Sequence, residues 1–260
     1  MKSVFVTGSG QCGETFLFNL FKSHNKIKAK DESHPLIHSY YKFAKYNDMN
    51  IDEAPLINQL SKVIKSSKKV NKIAFESSSF LALHTHPIYK KFNSKFIILL
   101  RNPLDVSYSL KKKGWYKAKY VRDDPNKIIG YQGVATSFHN KHHNFCRISP
   151  GGKYFYKWNN FDQILKIKWY WNEIYTEIFR DLKKIPKKNY KILRIEDLDY
   201  NKYLELSKWI GVKPSVSRLF FNIKIRLLEK NQEKTKKKLK EFSKFKSKIE
   251  KLYYKKNLMF

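Results

Sequence analysis

Short apolar runs alternate with helical stripes along this chain. Runs at Ser3–Thr7, Lys26–Lys30, Lys72–Glu76, Lys95–Leu100 and Tyr190–Arg194 have the length and composition of strands. Between them, apolar residues recur at helical spacing. Phe16, Leu17, Leu20 and Phe21 form one face. Leu36, Ile37, Tyr40, Tyr41 and Ala44 form a second, and Leu56, Ile57, Leu60, Val63 and Ile64 a third. Strands alternating with helices predict βαβ units: an α/β, three-layer fold with a central, mostly parallel sheet flanked by helices. In such sheets ligands bind beyond the carboxyl ends of the strands.

No repeat and no Gly/Ser/Pro-rich linker interrupts the 260 residues, which predicts one domain over 1–260. From about 227 to 256, Leu239, Phe242, Phe245, Ile249 and Leu252 follow at steps of 3, 3, 4 and 3, a single stripe on a helix whose other face is nearly all lysine. Such a helix either docks on the core with a solvated face or lies on a membrane surface or polyanion.

Lys+Arg number 54 against 22 Asp+Glu, a formal charge of +32. Hydrophobic residues at 42% and aromatics at 16% are enough for a core, so the charge does not mark a disordered chain. A surplus of this size first suggests nucleic acid or an anionic membrane. Only seven of the 54 are arginine, however, and geometric reading of phosphates and guanines favours the arginine fork. The lysines therefore read as a solvated surface, and nucleic acid is not the expected partner. The apolar run before Gly8 is too short for a signal peptide, and no segment approaches the roughly 20 apolar residues of a spanning helix. Cys12 and Cys146 make no disulfide framework. A cytoplasmic setting is expected.

The first chemical motif follows the first strand: Gly8-Ser9-Gly10-Gln11-Cys12-Gly13-Glu14-Thr15, then a helix. Glycines let the backbone curl its N–H groups toward an anion, and the helix N-terminus adds favourable potential. The spacing is close to a nucleotide-binding P-loop, but Glu14 stands at the lysine position. A carboxylate cannot do that lysine's work on β/γ-phosphates, which weakens an ATPase, GTPase or nucleotide-kinase reading. The second motif follows Phe96–Leu100. Arg101 sits at the strand end, Pro103 opens a helix, and Ser109 lies eight residues after Arg101. An arginine fork plus a hydroxyl suits a terminal phosphate, or Arg101 pairs with Asp105.

The segments "VTGSGQCGETFLFNLF" and "FIILLRNPLDVSYSL" resemble the two cofactor signatures of sulfotransferases that use 3′-phosphoadenosine-5′-phosphosulfate (PAPS). "KIAFESSSF", "WYWNEIY", "YKILRIEDL" and "YLELSKWIGV" resemble further family elements in the same order, so the resemblance runs from about residue 3 to 212. It implies a P-loop-like fold that holds PAPS and moves its sulfuryl group to a hydroxyl or amine, without a metal. Carried over, Gly10, Gln11, Cys12, Gly13, Glu14 and Thr15 would hold the 5′-phosphosulfate, and Arg101 and Ser109 the 3′-phosphate. The family normally has Lys or Arg at the position of Gln11, and Ser and Thr at those of Cys12 and Glu14.

Sulfuryl transfer needs in-line geometry, stabilisation of charge on the leaving oxygen and a base for the acceptor's proton. Gln11 is a candidate for the second role, as a donor without charge, with the helix N-terminus and a nearby lysine compensating. Glu32 is the first candidate base, since a Glu here resembles the carbohydrate and tyrosyl-protein branches. His34 is the second. Glu76 is a third, better suited to positioning loops or contacting the acceptor. Each can equally be a cap or surface group. His139, His142, His143 and Cys146, with His84 and His86, have metal-like spacings but no completing pair, so no metal is expected. Gly114 to Gly152 reads as an irregular acceptor-side lid. The acceptor stays open among saccharide or glycolipid, other lipid, protein and small molecule. A catalytically weak protein of this fold that binds polyanions is the competing reading, favoured by Gln11 and Glu14.

Overall fold

The computed structural model describes residues 3–116 and 147–225. Five strands form one sheet: β1 (Ser3–Thr7), β2 (Ile27–Asp31), β3 (Ile73–Ser77), β4 (Lys95–Leu100) and β5 (Tyr190–Arg194). The order is β2-β3-β1-β4-β5 and every pairing is parallel. Three strands have the bounds that the apolar runs predict. The other two, β2 and β3, start and end one residue later, because the ladder between them runs from Ile27–Ile73 to Asp31–Ser77. That extra step carries Asp31 to the carboxyl edge.

The helices are α1 (Glu14–Phe21), α2 (Pro35–Tyr46), α3 (Ala54–Lys68), α4 (Thr85–Phe92), α5 (Pro103–Lys112), α6 (Lys153–Asn159), α7 (Gln163–Leu182) and α8 (Tyr200–Ile210). They flank the sheet as expected. The face predicted for α1 is packed inward through Leu17, Leu20 and Phe21, and that for α3 through Leu56, Leu60 and Ile64. The face predicted for α2 is only half right. Leu36 and Ile37 are exposed, whereas His38, Tyr41, Lys42, Phe43 and Ala44 are buried. The later turns of this helix pack on the 3-10 turn Ser79–His84, leaving its first turn at the rim of the strand ends.

β1 is the central strand, and it and its neighbour β4 are buried along almost their whole length, with Phe5 stacked on Phe96 across the pairing at 5.8 Å. The long helix α7 is capped by Asp162, whose carboxylate accepts from Leu165 N–H at 2.9 Å. It fills the space beside α5 with Tyr170, Trp171 and Tyr175, all buried. The predicted terminal helix at 227–256 lies outside the described residues, as do most of the predicted lid and His139, His142, His143 and Cys146. His84 is a core histidine: it is 1% exposed, lies against Tyr41, and burial pushes its imidazole down to about 3. Among the described residues no group of three or more His, Cys, Asp or Glu is placed to hold a metal ion, and no helix is long and apolar enough to cross a membrane.

Candidate functional site

The sheet order places the segments after β1 and β4 side by side, with the ends of β3 and β2 next in line. The chain switches direction across the sheet at β1, and that is where a ligand crevice is expected. The loop after β1 curls tightly. Gly8 permits its close approach to β4: a Cβ there would lie 2.7 Å from the Leu99 carbonyl oxygen. Gly13 takes the left-handed conformation (φ 103°) that starts α1, and a Cβ on it would meet Ile195 at 2.6 Å. Gln11 is also left-handed (φ 58°), a strained conformation of the kind that collects at ligand clamps.

The two predicted anion motifs meet. Arg101 donates from Nη1 to the Gln11 carbonyl at 2.8 Å, and the Ser109 hydroxyl donates to Gln11 Oε1 at 2.8 Å. Gln11 is thus gripped by both residues of the second motif. Arg101 stands just after β4. The turn that presents it is held by Asn102, whose side chain accepts from Leu104 N–H at 2.9 Å, and by Glu196, which accepts from Asn102 N–H at 2.8 Å. Glu196 is in turn set by the neighbouring bidentate pair of Arg194 with Asp197, both contacts at 2.7 Å. The sequence alone assigns this Glu-Asp-Leu segment, Glu196–Leu198, no role. It buttresses the arginine turn from β5.

Beneath the loop, Cys12 is fully buried. Its thiol donates to the Gly10 carbonyl at 3.3 Å and lies 3.2 Å from both Ser9 Oγ and Tyr175 Oη. Burial, then the Glu14 charge, pushes its pKa up to about 12, so this is an inert packing thiol. The Tyr175 hydroxyl donates to the Leu99 carbonyl at 2.5 Å and accepts from Ser9 N–H at 3.3 Å. Thr15 is exposed on the first turn of α1 and hydrogen-bonds Asp31.

Glu14 turns back into the loop. Its Oε1 accepts from Gly10 N–H at 3.1 Å and its Oε2 from Cys12 N–H at 2.8 Å. Burial drives its carboxyl above the usual range, while those N–H groups and the Arg101 charge pull the other way.

Glu32 follows β2 in a left-handed conformation (φ 46°), its N–H donating to the Ser77 carbonyl at 2.8 Å. Burial, then the charges of Glu14 and Asp31, push its carboxyl up to about 7, with Lys113 and Lys42 pulling it down. A carboxyl poised there suits proton transfer near neutrality. His34 is exposed at the start of α2 and lies beside His38, with ring centres 6.2 Å apart. Glu76 is 1% exposed and accepts from both the N–H (3.0 Å) and hydroxyl (2.9 Å) of Ser33. Through Oε1 it pins the Glu32 turn. Lys42, a residue that sequence reasoning passed over, is 1% exposed. It donates to Tyr170 Oη at 2.9 Å and lies against the Phe80 and Tyr170 rings. The available signal is a lysine inside the otherwise aromatic run Tyr40 to Phe43.

Orphaned polar atoms gather along the same edge. Thr7 Oγ1, Asp31 Oδ1, Glu76 Oε2, Ser78 Oγ and Arg101 Nε are buried and have no hydrogen-bond partner among the described residues. Native interiors pair such groups, so a concentration of them at the strand ends fits a polar ligand.

The chain belongs to the sulfotransferase family: the family's sulfotransferase domain matches residues 1–252. Solved structures with a similar fold include the sulfotransferase domain from the curacin biosynthetic pathway, at 16% identity, covering 80% of this chain and 73% of that one, with a TM-score of 0.47. The sulfotransferase domain from the Synechococcus PCC 7002 olefin synthase is 12% identical, covering 84% and 78%, with a TM-score of 0.48. The sulfotransferase from Alicyclobacillus acidocaldarius is 15% identical, covering 83% of each chain, with a TM-score of 0.48. No curated protein matches the chain.

Proposed function

We propose that this sulfotransferase takes its sulfuryl group from PAPS and passes it to a hydroxyl or amine of an acceptor. The observation that carries the donor assignment is the double grip on Gln11, because Arg101 and Ser109 bring a phosphate-binding fork against the Gly-rich loop. Gly10 to Thr15 then face the 5′-phosphosulfate with backbone N–H groups and the α1 terminus. Arg101, with an unpaired buried Nε, and Ser109 hold the 3′-phosphate. Gln11 adds a neutral donor near the leaving oxygen.

Glu32 is the base. Its carboxylate takes the acceptor's proton as the acceptor oxygen or nitrogen bonds to sulfur. The bond from sulfur to the bridging phosphate oxygen breaks, and adenosine 3′,5′-bisphosphate leaves. Burial, then Glu14 and Asp31, keep Glu32 basic, and Lys113 and Lys42 keep it ionisable. A saccharide or glycolipid hydroxyl is the first acceptor to test. Thermal shift with adenosine 3′,5′-bisphosphate, ATP with magnesium, and heparin tests the reading. Selective stabilisation by the bisphosphate supports it. Stabilisation by heparin alone, lost in salt, replaces it with polyanion binding.

A further inference from the structure

Two backbone N–H groups of the Gly-rich loop already have an anion on them. Glu14 is the first residue of α1, and its side chain folds back so that each carboxylate oxygen takes one loop N–H: Gly10 on Oε1 and Cys12 on Oε2. Both oxygens accept, which is the bonding pattern of an ionised carboxylate. The loop is shaped to this group. Glu14 is 7% exposed, and Oε1 lies within 3.3 Å of where a Gly8 Cβ would sit. Arg101, the cation of the second motif, also acts on it electrostatically.

A Gly-rich loop has few N–H groups to offer. An oxyanion entering it needs the same donors that Glu14 holds, and two anions do not share them at hydrogen-bond distance. The arrangement is also under tension. Burial works against the Glu14 charge, which lowers the cost of lifting the carboxylate off the loop and out to solvent. The side chain has three rotatable bonds and stands on the first turn, so it can leave without unwinding α1. The main chain of that turn is separately anchored, since Ser77 Oγ donates to the Glu14 carbonyl at 3.0 Å.

We propose that Glu14 is an internal competitor for the donor's phosphosulfate seat: its carboxylate occupies the loop until the donor or its bisphosphate product displaces it. This inference rests on the donor reading above. It explains how a carboxylate can stand in a phosphate loop, and it predicts that the chain lowers its own affinity for donor and product. The apparent dissociation constant is the intrinsic one divided by the fraction of molecules with Glu14 withdrawn.

The test is calorimetric titration of adenosine 3′,5′-bisphosphate into the full-length wild-type chain, Glu14→Gln and Glu14→Thr, with circular dichroism to confirm folding. The expected result is that both variants bind about tenfold tighter or more. Glu14→Gln keeps the volume, so it carries the test if the threonine variant does not fold. Equal affinities in all folded chains overturn the competitor and leave the donor reading intact. Weaker binding in the variants also overturns it, by making Glu14 part of the seat. If no chain binds while the fold persists, the donor reading falls, and the competitor with it.

Discussion

Arg101 reaches from the end of β4 to the main-chain carbonyl of Gln11, 2.8 Å away, and so joins the two loops proposed to bind the donor's anionic groups. A hydrogen bond from a guanidinium is worth about 1.5–3 kcal/mol. Arg101→Ala is therefore expected to weaken adenosine 3′,5′-bisphosphate binding by about 10- to 100-fold. Arg101→Lys should recover only part of this, since a point charge cannot reproduce the fork. Titration of both variants checks it.

Glu32→Gln should lower turnover by about 10²- to 10⁴-fold while leaving bisphosphate affinity within a few-fold of wild type. The base works only when ionised, so the wild-type rate should rise with pH through about 7. A variant that keeps full turnover would remove Glu32 as the base and bring His34 forward.

The same carboxyl has a signature in stability. Between the ordinary value of 4.5 and about 7 the folded chain holds a proton that the unfolded chain has lost. This contribution is fully present below the unfolded value and disappears as pH rises through about 7. The melting temperature of wild type, relative to Glu32→Gln, should therefore fall across that window and level off above it.

Lys42 pulls the Glu32 carboxyl downward, and its removal should do the reverse. Lys42→Met fills the space between Phe80 and Tyr170 without the charge. The acidic limb of its pH–rate profile is expected at higher pH than in wild type. An unmoved limb would reduce Lys42 to packing.

The two tightest loop glycines give a structural check. Gly8→Ala and Gly13→Ala should each cost about 1–3 kcal/mol of stability, because the added Cβ meets a carbonyl in one case and needs a left-handed alanine in the other. Gly151→Ala, with nothing within 4 Å, should change stability by less than about 0.5 kcal/mol. Denaturant melts would separate the three.

What could be read from sequence was what local pattern encodes. β1, β4 and β5 have the bounds of their apolar runs, and the loop and Arg101 fall at strand ends as the pattern requires. What could not be read was set by long-range packing. Leu36 and Ile37 look like core residues at helical spacing, but α2 packs its later turns on the Ser79–His84 turn and leaves them exposed. Lys42 looked like surface because its partner, Tyr170, is 128 residues away. Glu14 is legible as the wrong residue for an ATPase, GTPase or nucleotide-kinase loop. Its place on the Gly10 and Cys12 N–H groups depends on side-chain conformation, which spacing does not encode.

On the proposed function, the two loops form one seat for an adenosine nucleotide carrying phosphates at both 3′ and 5′. Comparing the calorimetric affinities of adenosine 3′,5′-bisphosphate and adenosine 5′-monophosphate, in wild type and Arg101→Ala, tests it most directly. One-to-one binding is expected, with a preference for the bisphosphate of about tenfold or more in wild type and collapse of that preference in the variant. Equal affinity for the two nucleotides in the folded wild-type protein, or no binding of either, would contradict it.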